Sequence, residues 1–271
     1  MKIFDGLKLT LEIVEGVEGL GHKAATLLYL MYRHALRLVG VRKPYTTPVN
    51  CIYKTAYGRF KVRAGTNDIL ILMSEREIWD EFMVEGDVFI DAGAHIGKYS
   101  IMLSPRFRKV LAVEANPETF KLLEENIRLN KATNVKAINR ALWCEDGKQL
   151  EFFITKTNVG ASSLKRELIA EEGLTIDRKI SVYTITLDTL LKKEGIKDVD
   201  LMKLDVEGAE YEALQGLNLD EHAVKKIIYE AFNQEYYDKV TSYLQKFDYK
   251  IHSTRHLNYW VAEKKCLFDT V

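Results

Sequence analysis

The stretch Gly86-Asp87-Val88-Phe89-Ile90-Asp91-Ala92-Gly93-Ala94-His95-Ile96-Gly97 decides the fold. Its apolar run from Val88 to Ala92 has the length and residue types of a buried strand. Gly93 and Gly97 follow at once, and a helix is expected after Gly97. Glycines directly after a buried strand let the backbone turn tightly and approach a ligand, and a following helix start offers free N–H groups to an anion.

The same rhythm continues outward from this stretch. Strands are expected at Val110 to Glu114, Val135 to Asn139, Leu201 to Asp205 and Lys226 to Ala231. Helices are expected at Pro117 to Asn130, Leu187 to Glu194, Ala209 to Gly216 and Gln234 to Phe247. Alternation of this kind implies a Rossmann-like α/β fold with a mostly parallel, doubly wound sheet. Tyr249 to Ser253 and Tyr259 to Glu263 lie close enough to close it as a C-terminal antiparallel hairpin. The stretch from Asn158 to Arg178 interrupts the pattern and is expected to form a lid or substrate loop, since long insertions in compact domains are often functional.

Upstream, Pro44 and Pro48 break a helical pattern, and Cys51 to Thr55 with Arg59 to Arg63 reads as a hairpin around Tyr57-Gly58. The expected division is an N-terminal helical extension and hairpin cap over 1–85, then a catalytic domain over 86–271. Leu27, Leu28, Leu30, Met31, Ala35, Leu38 and Val39 form a broad apolar helical face, expected to pack on the core with a solvated basic rim. From His22 to Lys43 there are no acids but five Lys/Arg, so contact with a membrane surface or an acidic substrate is the alternative.

Composition narrows the function. Lys+Arg and Asp+Glu both number 39 in 271 residues, so no global field favours nucleic acid or an anionic membrane. Cys51, Cys144 and Cys266 form neither a CxxC pair nor a metal spacing, which fits a reducing cytoplasmic setting. The stretch from Ala24 to Val39 is too short and too charged for a transmembrane span, and the start lacks the features of a signal peptide. A soluble cytoplasmic protein is the expectation.

The acid–glycine–helix order points to S-adenosyl-L-methionine as cofactor. Gly93, His95 and Gly97 form the loop for its carboxylate, and Asp91 at the strand end accepts from its ammonium group, directly or through water. Glu114 ends the next strand, 21 residues beyond Gly93, where a carboxylate takes both ribose hydroxyls. Asn116-Pro117 starts the following helix as N-cap and first residue. Asn139 is a candidate for the adenine amino group, with an ordinary turn role as the alternative, and Ala141 and Leu142 are candidates to pack the ring. An NAD-dependent oxidoreductase is the competing reading, but its fingerprint needs G-x-G-x-x-G, which this loop lacks.

A second motif is longer: Leu201-Met202-Lys203-Leu204-Asp205-Val206-Glu207-Gly208-Ala209-Glu210, continuing to Gly216. Together with the Gly86 to Gly97 stretch it closely resembles the FkbM-type methyltransferases, from about Gly86 to Lys264. That family commonly has Asn where this chain has His95. The resemblance implies a class I methyltransferase architecture and methyl transfer to oxygen, typically a hydroxyl on a sugar, glycan, polyketide or other secondary metabolite. A cofactor-binding regulatory protein of the same fold that has lost turnover is the other functional class to weigh.

Methyl transfer requires the acceptor oxygen to align with the methyl carbon in a site that excludes water. Asp205, at the carboxyl end of its strand, is the expected group to orient or deprotonate the hydroxyl. Glu207 follows at the turn into the next helix, where the helix dipole alone would also favour an acid. Lys203 alternates with Asp205 on one strand face, to pair with it or to hold an anionic acceptor. Glu230 completes an acidic cluster. A divalent cation there is the minor alternative, and no metal is expected. The expected partner is a small-molecule or glycan acceptor, with no nucleic acid.

Overall fold

The computed structural model describes residues 3–41 and 45–265, with side chains from residue 8 onward. Two helices come first, α1 (Ile3–Gly16) and α2 (Leu20–Leu38), then the hairpin β1 (Cys51–Lys54) and β2 (Arg59–Val62). Two short helices follow, α3 (Asp68–Met73) and α4 (Trp79–Phe82). The alternating part opens with β3 (Gly86–Ala92), α5 (Lys98–Leu103), β4 (Phe107–Val113), α6 (Pro117–Leu129) and β5 (Val135–Ile138). It breaks at β6 (Ala141–Leu142), β7 (Gln149–Thr155), α7 (Arg166–Glu171) and β8 (Ile176–Ile185). It resumes with α8 (Leu187–Glu194), β9 (Asp198–Leu204), α9 (Glu210–Gln215), β10 (Ala223–Glu230) and α10 (Gln234–Gln245), and closes with β11 (Tyr249–Ser253) and β12 (Tyr259–Lys264).

The central sheet has seven strands in the order β11-β12-β10-β9-β3-β4-β5. The run from β10 to β5 is parallel throughout, and β12 inserts antiparallel between β10 and β11. This is the Rossmann-like, doubly wound arrangement with a terminal antiparallel hairpin. Strands buried on both faces explain the near-continuous apolar runs: Phe89, Ile90, Val110, Leu111, Leu201, Met202, Ile227 and Ile228 are all fully buried. Because β3 and β9 are neighbours, the carboxyl ends of the strands carrying Asp91 and Asp205 lie side by side, the position at which open α/β sheets bind ligands.

The stretch expected as one loop is more ordered than its sequence suggests. β7 and β8 pair antiparallel from Gln149↔Tyr183 to Ile154↔Arg178, and β6 joins β8 to make a separate three-stranded sheet. Residues 156–175 connect β7 to β8 and include α7, so the insertion is a hairpin arm with a structured tip.

The N-terminal hairpin is bound tightly to the rest. Asn126 of α6, fully buried, accepts from Lys61 N (2.7 Å) and donates to Ile96 O (2.9 Å), while Asn130 accepts from Arg59 N (2.8 Å). Ile96 and Ile101 pack in one apolar cluster with Ile13, Val17, Tyr53 and Phe60, so residues on both sides of position 85 share a core.

The expected burial of α2 is corrected. Of its apolar face only Leu30 is buried, whereas Leu27, Leu28, Met31, Ala35, Leu38 and Val39 are exposed. Helical periodicity marks an apolar stripe without saying what covers it, and here the core side of α2 is made by Thr26 and Leu30. Pro44, Arg42, Lys43 and Cys266 lie outside the described residues; Cys51 and Cys144 are free thiols, one buried and one exposed.

Candidate active site

A cavity of about 280 Å³ opens at the carboxyl ends of β3, β4, β9 and β10. Two backbone constraints shape its floor. Gly93 has φ +78, and a Cβ there would lie 1.8 Å from the Asp205 carbonyl oxygen, so only glycine lets the β3 and β9 loops touch. His95 and Glu207 adopt φ 50 and 55, a left-handed conformation uncommon for residues with a side chain.

Glu114 holds the first of these turns. Its Oε2 accepts from His95 N (2.9 Å) and its Oε1 from Asn116 N (2.8 Å). Burial pushes its carboxyl up to about 7, against the lowering effect of those two N–H groups. Each carboxylate oxygen keeps a further lone pair, so the group can still receive a ligand hydroxyl. Asn116 Oδ1 caps α6 by accepting from Glu118 N (3.0 Å), as its sequence position predicts.

His95 lines the cavity and is tied to the N-terminal segment. Arg63 Nη2 lies 3.2 Å from His95 Nε2 and 2.8 Å from Asp68 Oδ1. A guanidinium can only donate, so Nε2 accepts and the ring proton sits on Nδ1. Burial lowers the imidazole to about 4, so the ring is neutral at physiological pH. Nδ1 is buried without a hydrogen-bond partner in the protein.

At the β9 side, Lys203 is 3% exposed, directed inward between two aspartates rather than outward. Its Nζ lies 2.8 Å from Asp205 Oδ2 and 4.0 Å from Asp91 Oδ1, and donates to Gly93 O at 3.3 Å. Asp91 is the β3 residue in register with Lys203, which explains the approach. Asp91 lies beneath the cavity lining, with Ser100 Oγ donating to its Oδ2, while its Oδ1 has the Lys203 ammonium nearby but no hydrogen bond. Of the two routes expected for Asp91 toward an ammonium group, direct or through water, its burial beneath the lining favours the one through water.

Asp205 accepts from Lys203 and from the Tyr259 hydroxyl (2.8 Å). Burial alone would raise its carboxyl, but Lys203, then Tyr259 and Glu230, hold it below the ordinary range. The neighbouring Glu207 and Glu230 move the opposite way: burial first, then the charge of Asp205, pushes both well above it. Carboxylate oxygens of Asp205, Glu207 and Glu230 lie within 4.8 Å of one another. Glu210, the first residue of α9, fixes the Glu207 turn: its Oε1 accepts from Val206 N (2.9 Å) and Gly208 N (3.1 Å).

Gly93, His95, Glu114, Asn116, Ala141, Lys203, Asp205, Glu207 and Glu230 all line the cavity. Ala141, Leu142 and Phe152 supply an apolar wall on the β4 side. Gly97 does not line it; φ +94 there and a would-be Cβ 2.8 Å from Leu123 assign it to packing of α5 on α6. Asn139 does not line it either; its Nδ2 donates to the carbonyls of Glu114 (2.8 Å) and Ala115 (3.1 Å), as a turn residue would.

Glu75, Lys98, Tyr99 and Tyr259 were not legible as site residues. Glu75 Oε2 accepts from Lys98 Nζ (2.7 Å) and the Tyr99 hydroxyl (2.8 Å), while Oε1 faces Tyr259 at 3.4 Å. The one available signal was Lys98 at the head of an otherwise apolar helix, since a lysine there needs a buried partner.

Residues 91–251 match the family model described as the methyltransferase FkbM domain. Methyltransferase sdnD of Sordaria araneosa is 30% identical over 170 residues, covering 53% of this chain and 65% of that protein. Hexuronic acid methyltransferase AglP of Haloferax volcanii is 27% identical over 176 residues, covering 64% of each. These matches thus span just under two thirds of the relatives' own length. A solved FkbM methyltransferase from Methylobacillus flagellatus aligns with 96% of this chain and 59% of its own, at 16% identity and a TM-score of 0.48. With the matched segment covering more than half of the sequence, including Asp91 to Gly97 and the Leu201 to Gly216 motif, the chain belongs to the FkbM methyltransferase domain family.

Proposed function

We propose that this chain is an S-adenosylmethionine-dependent O-methyltransferase acting on a hydroxyl of a sugar, glycan or secondary metabolite. One juxtaposition carries the reading. A carboxylate, a neutral imidazole and an apolar wall (Glu114, His95, and Ala141 with Phe152) share a single cavity with the acidic cluster of Asp205, Glu207 and Glu230. The first set suits a nucleoside bearing ribose hydroxyls, a flat ring and a carboxylate; the second suits a hydroxyl that must lose a proton. The Haloferax relative, named for hexuronic acid, supports the sugar class.

When bound, S-adenosylmethionine would supply an electrophilic methyl carbon for a new C–O bond, the C–S electron pair leaving with sulfur as a neutral thioether. Glu114 and the apolar wall would hold the nucleoside, and the buried His95 Nδ1–H would donate to the carboxylate. Asp205, kept ionised by Lys203, accepts a hydrogen bond from the acceptor hydroxyl and orients it. The proton passes to the carboxylate cluster, where Glu207 and Glu230, whose proton affinity is raised by burial and by the charge of Asp205, accept it from their ionised form. Lys203 is a positioning residue, buried between Asp91 and Asp205.

A panel of hydroxylated acceptors incubated with methyl-labelled S-adenosylmethionine tests this. Label in an ether of a sugar or polyol supports it; label in amines only, or cofactor binding without transfer to any acceptor, overturns it in favour of N-methylation or a non-catalytic regulator.

A further inference from the structure

The outer face of α2 is apolar along its whole length. Leu20, Ala24, Leu28, Met31, Ala35 and Leu38 recur at three-to-four spacing and form one stripe, which at 1.5 Å per residue runs for about 27 Å. Leu20 and Leu38 at its two ends are 88% and 89% exposed, and Met31 at its middle is 59% exposed. A contiguous exposed stripe of this kind marks an interaction site. Tyr32, also exposed, stands beside it.

The charge around the stripe selects the occupant. From Gly19 to Asn67 the chain has no Asp or Glu but nine Lys/Arg, although the whole molecule is neutral. Arg59, Lys61 and Arg63 in this run are paired within the fold with Glu18, Glu125 and Asp68. Arg37 lies exposed in the last turn of α2, Lys23 half-buried in its first, and Arg42 and Lys43 follow in sequence. A second copy packed on this face by two-fold symmetry would set its own cations against themselves. An anionic bilayer surface meets both features: it takes an apolar stripe into the acyl boundary and pairs with the basic flank, and a tyrosine suits the interface.

We propose that α2 is an in-plane docking helix for an anionic lipid surface, with Leu28, Met31 and Leu38 inserted and Arg37 and Lys23 at the headgroups. Among the described residues no helix is long and apolar enough to cross a membrane, so the attachment is peripheral and reversible. This proposal stands independently of the methyltransferase reading.

Co-sedimentation of the full chain with vesicles tests it, using phosphatidylcholine alone and an equal mixture with phosphatidylglycerol. The expected result is binding to the mixed vesicles, weakened by added salt, with little binding to phosphatidylcholine. The double substitution Leu28→Glu with Met31→Glu should lower the partition constant by about tenfold or more, and Arg37→Glu by about tenfold, both with an unchanged circular dichroism spectrum. Because all three positions are solvent-exposed, loss of fold is not expected to confuse the result. Protein left in the supernatant with mixed vesicles, or equal binding to both compositions, would overturn the proposal. So would a dimer by light scattering that Leu28→Glu with Met31→Glu splits, since that assigns the stripe to a second copy.

Discussion

Arg63, in the N-terminal segment, donates to His95 in the glycine loop, Nη2 to Nε2 at 3.2 Å. The contact joins two parts of the chain that sequence divides at residue 85, and it fixes which imidazole nitrogen carries the proton. It also gives His95 a consequence for stability. The ring titrates at its ordinary 6.5 when unfolded and, through burial, at about 4 when folded, so the unfolded state binds more protons between these values. Stability conferred by His95 is therefore complete above about 6.5 and declines as pH falls toward about 4. Urea denaturation across this window should show wild type losing up to about 3 kcal/mol that His95→Asn does not lose. Parallel pH profiles for the two proteins would contradict it.

Gly93→Ala should destabilise the fold by at least about 2 kcal/mol, because φ +78 disfavours a side chain and the Cβ would meet the Asp205 carbonyl at 1.8 Å. Gly147→Ala is the control: φ is +71 but no atom lies within 4 Å, so the cost is the backbone preference alone, about 1 kcal/mol. Urea midpoints of the two variants measure the difference. Equal losses would mean that the loop shifts freely and the β3–β9 contact is not a constraint.

If Asp205 acts on the acceptor hydroxyl as proposed, Asp205→Asn should lower turnover by roughly two to four orders of magnitude while cofactor affinity changes little, because Asp205 lines the cavity at the end of β9 rather than of β3 or β4. Lys203→Met should lower turnover as well, since it leaves Asp91 and Asp205 buried without their shared cation. Turnover measured with and without a chelator should agree, in keeping with acid–base work by these groups; loss on chelation restored by a divalent cation would assign the cluster to metal binding. Wild-type turnover in a folded Asp205→Asn variant removes Asp205 from the chemistry.

On the proposed mechanism Glu207 and Glu230 set the pH dependence. Both are pushed well above the ordinary carboxylate range by burial and then by the charge of Asp205, so the basic form of the cluster is depleted as pH falls. kcat/KM should rise with pH on a limb displaced upward from the usual carboxylate region, and Glu230→Gln should alter that limb while lowering the plateau. An acid limb at an unperturbed carboxylate value, the same in both proteins, would exclude the two glutamates as proton acceptors.

What sequence could and could not show follows from range. The acid–glycine loop, Glu114 and the Asp205 motif are local patterns, each read from consecutive residues at the end of a strand, and the sheet order then brings them together. The terminal hairpin is likewise local. Tyr259 and Glu75 meet across 184 positions, and Arg63 meets His95 across 32, with no periodicity linking either pair. The β7–β8 pairing is hidden for a related reason: the partner of Gln149 to Thr155 begins at Ile176, beyond α7. The stripe on α2 was legible and its direction was not, because an apolar face is defined by spacing whether it meets a core or a partner.

Calorimetric titration of the chain with S-adenosylmethionine, S-adenosylhomocysteine and NAD tests the central claim most directly. The account predicts one site for each of the first two ligands, weakened by a few kcal/mol in Glu114→Ala through loss of charge-assisted hydrogen bonds, and no response to NAD. Tight NAD binding with no heat from either of the sulfur ligands would contradict it.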